Sequence, residues 1–379
     1  MPYWRLSGFY FFYFATLGVL VPYWGLYLKF VGFSPEDIGS LIALLMVSRI
    51  VAPLVWGWIA DHRARRMSVV RAAAFFTAVV FIGVFFGTHF WWLALVMLVF
   101  SFFWHASLPL VEVSTMNHLG AQPGAYGRVR LWGSIGFIIS VAALGAMIDA
   151  HGPWWVLPSL LLLMTGIWLY SLSLPESEFK AHLAHPEAFL KTIMRPEVFG
   201  FLLACFLMQV SHGPYYTFYS IYLEASGYSK SVIGLLWAFA VVCEIGVFLL
   251  MQRLLLRVAL RPVLLASFFF AAVRWLLIGY FPQHLSVLIL AQVLHAATFG
   301  SFHATAMQMV FRFFTGRQQH RGQAIYGSAS FGLGGAVGSY YSGQTRVSLG
   351  PAATFAIAAG AAAMAWAVAY LLLKPRSEG

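Results

Sequence analysis

Charge is what this sequence has least of. Only 9% of its 379 residues are Asp, Glu, Lys or Arg, 61% are hydrophobic, and the mean hydropathy is +0.81. Soluble globular domains carry about 25% charged residues, so these residues cannot cover a water-facing surface of this size. Cysteine is nearly missing too. Cys205 and Cys243 both sit in apolar runs, which excludes a disulfide framework and leaves them as small buried hydrophobes. No cluster of Cys or carboxylates has metal-ligand spacing, so no metal and no cofactor is expected. Acids number twelve against 23 Lys and Arg, a formal charge of +11. That excess does not call for a nucleic-acid partner, because a chain that crosses a bilayer repeatedly collects positive residues in alternate loops. The opening MPYWRLS has no basic leader and no small-residue cleavage site, so it is expected to run into an uncleaved first helix.

Long apolar runs are plentiful. A span needs about 20 apolar residues, and the sequence offers twelve: 8–30, 38–60, 68–88, 90–117, 127–149, 153–174, 197–224, 232–252, 261–281, 284–312, 322–345 and 350–373. Joints such as GFSPED, HGP and FPQH separate most of them. The expected fold class is an all-α polytopic membrane protein of twelve transmembrane helices. One longer polar segment, 175–196, divides it into a six-helix bundle at 1–174 and a second at 197–379. With the N-terminus placed in the cytoplasm, the inner side takes nearly every Lys and Arg. The exceptions are Lys29, Lys230 and Arg346 outside, and Arg49 and Arg274 within helices. Both termini are therefore expected to be cytoplasmic. The halves also repeat. GFSPEDIG (32–39) matches GYSKSVIG (227–234), each after a proline-aromatic cluster, and LWGSIGF (131–137) matches IYGSASFG (325–332). Two repeats with a site between them is a transporter architecture.

Charges at membrane depth then become candidates for function, since each is costly unless paired, neutralised or wet. Glu112 is the only acid between Phe90 and Met116. Arg130 follows it by eighteen residues, across the turn HLGAQPGAYG. At 1.5 Å per residue, both fall roughly 5–10 Å below the same end of adjacent antiparallel helices. The other deep ionisable groups are Arg49, Glu244, Arg274 and the histidines 105, 212, 295 and 303. Three deep arginines against two deep carboxylates leave one positive charge, which an anionic solute would complete. Trp24, Tyr27, Tyr215 and Tyr219 could line a place for a planar apolar body. If a carboxylate carries a proton, only Glu244 and Glu112 are available at depth. Each of these groups also has a plainer reading, as a static interhelical pair or a hydrogen-bonded histidine.

The joint GWIADHRARR, with Gly57, Asp61, Arg63, Arg65 and Arg66, resembles the cytoplasmic loop motif of the major facilitator superfamily. It departs from that pattern at His62 and Ala64. The resemblance implies a latch in which Asp61 faces the start of the eleventh helix near Gly322. Pro109-x-x-Glu112 on the fourth helix and Gly127-Arg-x-Arg130 on the fifth resemble the lactose permease branch, which includes nucleoside and phenylpropionate proton symporters. The texture of YLKFVGFSPEDIG and LHAATFGSFHA is most like the phenylpropionate-permease group. This implies that Glu112 and Arg130 form a substrate pair, and that Glu244, Arg274 and His295 couple protons to it. Thr298 stands where that branch carries a carboxylate, three residues after the histidine.

The resulting expectation is a non-enzymatic secondary transporter, active as a monomer in a bacterial inner membrane. It would import a small organic solute with protons, an aromatic or other organic monocarboxylate. A sugar or nucleoside symporter of the same fold is the alternative. A membrane-embedded acyltransferase with His105 or His303 as base is a minor one. Drug efflux fits less well, because 127–149 lacks the Gly-Pro signature of that branch.

Overall fold

The computed structural model describes residues 2–62, 66–119, 125–176 and 186–373. Among them every regular element is helical, as a bilayer demands, because backbone groups in hydrocarbon must find partners within their own segment. The first six spans are α1 (Tyr3–Phe30), α2 (Pro35–His62), α3 (Arg66–Phe81), α4 (Phe90–Leu119), α5 (Ala125–His151) and α6 (Val156–Ser173). A 3₁₀ turn, Ile82–Phe86, extends α3. Eleven helical runs are long and apolar enough to span a bilayer. The eleventh expected span, at 322–345, is helical over 319–348 but carries many glycines and hydroxyl side chains, and it is not among those eleven runs.

Three later spans are interrupted. The seventh consists of α8 (Pro196–Ser211) and α9 (Gly213–Ala225), which meet at His212. After α10 (Lys230–Leu255) and α11 (Leu260–Tyr280), the tenth span consists of α12 (Leu285–His295), a π-helical stretch Ala296–Ser301, and α13 (Phe302–Phe313). The eleventh is α14 (Gln319–Gly327), a second π stretch Ser328–Gly334, and α15 (Gly335–Ser348). The last span is α16 (Gly350–Leu372). A short helix, α7 (Pro186–Ile193), occupies part of the polar segment expected to join the halves. Its Phe189 packs on Phe314, and Thr192 donates to Gln318 Oε1 at 3.1 Å.

The chain forms two compact units. The first gathers α1 to α6 and the stretch Tyr219–Ala238; the second gathers α7, α8, the chain to Phe218, and Phe239 onward. In the first unit α1 packs on α5 and α6, and α4 packs on α2 and α3; in the second, α16 packs between α8 and α11. Large apolar side chains face outward, Leu162, Leu249 and Leu371 each at least 70% exposed. An apolar exterior over apolar helices is a lipid-facing surface.

The repeat seen in the sequence has a conformational basis. Gly32 and Gly227 close the first helix of each matched pair at φ 99° and 93°, a region that excludes most side chains. Ser34 and Ser229 then accept the backbone N–H groups of Asp37 and Val232, capping α2 and α10 alike. A different glycine governs packing. Gly136 of α5 faces the backbone of Phe11 on α1, and an added Cβ would lie 3.0 Å from the Phe11 carbonyl carbon and closer still to its oxygen. Ala at position 360 of α16 would meet nothing within 4 Å. Gly136→Ala should therefore lower the melting temperature in detergent by roughly 2–4 °C, taking about 1 kcal/mol for overpacking. Gly360→Ala should leave it unchanged or raise it, since alanine is the better helix former.

Candidate functional site

In the first unit, three of the residues expected at the solute site, Glu112, Arg130 and Arg49, share a neighbourhood beside Tyr13 of α1. Glu112 on α4 and Arg130 on α5 are near each other, but among the described residues they form no direct ion pair. Tyr126, one turn before Arg130, stands between them. Its hydroxyl donates to Glu112 Oε1 at 3.4 Å and also meets the Arg130 side chain. The Arg130 guanidinium lies over the Phe14 ring, 3.6 Å from its centre, and 5.8 Å from that of Tyr10. The expected pair is thus a bridged one. A guanidinium on an aromatic face keeps a large electrostatic stabilisation, and its fork of N–H donors matches a planar acceptor.

Arg49 on α2 belongs to the same neighbourhood. It interacts electrostatically with Tyr13, His105 and Glu112. Tyr13, buried on α1, is within reach of Arg49, Glu112 and Arg130 together and stacks on Trp104 at 5.1 Å. Ser48 and His105 Nδ1 share a hydrogen bond at 2.9 Å beside it. Trp24 and Tyr27 are elsewhere. They stack on each other and pack with Phe81 and Trp154. Trp24 is also eleven residues along α1 from Tyr13, roughly 16 Å at helical rise. The aromatic side chains around Arg130 and Glu112 are Tyr10, Tyr13, Phe14 and Tyr126.

The second unit holds another polar cluster. Arg274 of α11 is wholly buried, yet its donors are engaged. Nε donates to the Ala291 carbonyl at 2.9 Å, Nη1 to Thr298 Oγ1 at 3.3 Å and Nη2 to Gln292 Oε1 at 3.3 Å. The guanidinium also lies 4.1 Å from the Tyr215 ring and 4.6 Å from Trp275. Tyr215 in turn donates to Gln292 Oε1 at 3.0 Å. His295 Nε2 is 3.8 Å from Glu244 Oε2, and its ring lies 5.7 Å from that of Tyr215. Glu244, Arg274 and His295 are therefore brought together, as the resemblance implies, and Tyr215, expected among the lining aromatics, joins them. Thr298, in the π stretch, fills a polar place in the cluster as an acceptor. Such π stretches often mark functional positions. Tyr219 falls in the first unit, where it packs edge-on against Trp237.

Of the loop motif, Gly57 ends in open space on α2, and Arg66 is buried at the head of α3. Arg63, Arg65 and the side chain of Asp61 lie outside the described residues. Glu176 accepts the Met67 N–H at 3.1 Å, and Arg71 donates to the Leu174 carbonyl at 2.8 Å, so α3 is tied to the end of α6. No group of three metal-ligating side chains occurs among the described residues. Gln292 and Tyr126 were the functional candidates missed in the sequence. Gln292 is the lone amide between Leu285 and His295 and could have been found that way. Tyr126 could not, because aromatics make up 17% of the chain.

Comparison with known proteins places the geometry. The MFS_1-like family matches residues 3–357. A protein of Escherichia coli (strain K12) described as a probable 3-phenylpropionic acid transporter is 32% identical over 348 residues, covering 90% of each chain. A maltose permease of Geobacillus stearothermophilus is 27% identical over 334 residues, 86% of this chain and 83% of that one. In three dimensions, the nucleoside transporter NupG superposes with a TM-score of 0.84 at 18% identity, covering 99% of this chain and 100% of the other. The chain therefore belongs to the MFS_1-like family: it is a polytopic membrane transporter of small molecules with the major facilitator fold.

Proposed function

We propose that the protein imports a small organic monocarboxylate with an aromatic or similarly flat apolar body, together with protons, by alternating access. The observation that carries this reading is the Arg130 guanidinium seated over the Phe14 ring, with Tyr126 between it and Glu112. A guanidinium so placed can accept a carboxylate bidentately, while Tyr10, Tyr13 and Trp104 offer apolar faces to the rest of the solute. Arg49 supplies a second positive charge close by. The relative described as a probable 3-phenylpropionic acid transporter points to the same chemistry. A neutral sugar or nucleoside is the second reading, favoured by the maltose permease relative.

Glu244 is assigned as proton carrier. A carboxylate takes up a proton when buried and loses it when a cation approaches, and His295 at 3.8 Å and Arg274 are the groups that can change its surroundings. The alternating element is the pair of six-helix halves, 1–174 and 197–379, joined by 175–196. The loop motif at Gly57, Asp61, Arg63, Arg65 and Arg66 is assigned as the inner latch. The asymmetry of Lys and Arg puts both termini on the cytoplasmic side of a bacterial inner membrane. The transporter is expected to work as a monomer.

Proteoliposomes with an imposed inward proton gradient test this directly. Labelled 3-phenylpropionate should accumulate, maltose and nucleosides should not, and a protonophore should abolish accumulation. Arg130→Ala should raise the apparent KM at least about 30-fold, the order expected when one partner of a hydrogen-bonded charge pair is lost. Full activity in both Arg130→Ala and Glu112→Gln would rule out this site. Glu244→Gln separates the two roles. It should abolish gradient-driven accumulation while leaving solute counterflow within about threefold of the parent, because exchange of solute needs no net proton movement.

A further inference from the structure

One polar network of the first unit has no part in the reading above. It lies where α5 ends and α10 begins. The Asp149 carboxylate accepts the Lys230 N–H at 2.9 Å through Oδ1 and the Ser231 N–H at 2.8 Å through Oδ2, and Ser231 Oγ donates to Oδ2 at 2.6 Å. Two of the open N–H groups at the head of α10 are thus satisfied by a residue 81 positions away. Around it, Glu224 takes Lys29 at 2.9 Å and Lys230 at 3.0 Å on its two oxygens. Beneath, the buried Tyr23 hydroxyl donates to the Val141 carbonyl at 2.7 Å and lies 3.3 Å from the Lys230 carbonyl. Gly145 and Gly234 allow this approach, since a Cβ on either would strike the Tyr23 hydroxyl or a backbone carbonyl.

The matching helix of the first repeat shows that this arrangement is not needed for helix capping. There Asp37, inside the GFSPEDIG motif, accepts the Ser34 hydroxyl at 3.0 Å and its N–H at 3.4 Å, completing a local capping box on α2. In the second repeat the position equivalent to Asp37 is Val232, and the acid comes from α5 instead. The consequence is visible in the partition of the chain. Tyr219–Ala238 belongs by sequence repeat to the second half, yet it clusters with α1 to α6, while the rest of α10 from Phe239 clusters with the second unit. Asp149 thus caps the first turn of α10, inside the stretch of that helix that clusters with α1 to α6.

We propose that Asp149 is a releasable latch: by capping α10 in trans it holds the ends of α1 and α5 to the Tyr219–Ala238 hairpin, and it must let go for that side of the transporter to open. On the orientation assigned above, this is the outer side. The role in transport rests on the alternating-access reading, whereas the latch itself does not. A charge at a helix N-terminus with two backbone donors and a hydroxyl is strong enough to bias a conformational equilibrium and weak enough to break within a cycle.

The test uses the full-length protein in detergent, with Cys205→Ser and Cys243→Ser as background and Val141→Cys as reporter, because Val141 is fully buried under the Tyr23 contact. The rate of maleimide labelling reads how often this side opens, without any solute or proton gradient. Asp149→Ala, Asp149→Asn and Ser231→Ala should each raise that rate about threefold or more, and Tyr23→Phe should add to the effect of Asp149→Asn. Asp149→Glu should restore a rate near the parent. Asp37→Ala, which removes the local box on α2, should stay within about 1.5-fold of it. Folding is checked by an unchanged elution volume and melting temperature. Labelling that stays at the parental rate in folded Asp149→Asn and Ser231→Ala would overturn the proposal, as would an equal rise in Asp37→Ala. Failure to transport a monocarboxylate would leave the labelling result standing, so the two readings fail separately.

Discussion

Everything in this molecule is subject to the constraint that nothing polar can be left without a partner in hydrocarbon. It makes every described element a helix, and it decides how each deep charge is housed. Arg274 is completely buried, and it is acceptable there because three acceptors and two aromatic faces receive it. Arg130 is received differently. It rests on Phe14 and meets its carboxylate only through Tyr126. The first arrangement uses up its guanidinium. The second stabilises the charge while keeping it available, which is why the solute-binding assignment goes to Arg130 and the supporting one to Arg274.

The interrupted helices belong to the same logic. The π stretch Ala296–Ser301 follows directly on His295 and contains Thr298, and a break at His212 separates α8 from α9, whose Tyr215 faces Arg274. Where a helix is regular, its carbonyls are consumed internally. Where it loosens, hydroxyls and carbonyls such as Thr298 Oγ1 and the His295 carbonyl become free to meet one another and the arginine. The second cluster is built at such irregular places, which suits groups whose partners must change during a cycle.

Much of this was legible in the residues, and the reason differs from feature to feature. Eleven of the helical runs follow from apolar length alone, and Gly32 and Gly227 were visible as a repeat because one backbone conformation needs the same residue twice. The convergence of Glu244, Arg274 and His295 was legible because ionisable residues are rare at depth. The Glu112–Arg130 contact was misjudged in detail. Helical rise fixes depth but not the direction of a guanidinium, and an aromatic face can compete with a carboxylate for it. Trp24 and Tyr27 were given a lining role for their type, yet position on α1 places them in a separate aromatic core. Asp149 passed unnoticed, because an acid at a helix end reads as an ordinary loop charge until the helix that it caps is known.

The central claim is that Arg130, presented by Phe14 and Tyr126, recognises the negative charge of the solute. Its most direct test is a binding titration of the purified transporter with 3-phenylpropionate and with 3-phenylpropionamide, which share a shape and differ in charge. The account predicts that the carboxylate binds and that the amide binds at least about 30-fold more weakly, the cost of leaving one side of a charged hydrogen-bonded pair unmet. Equal affinity for the two would contradict it.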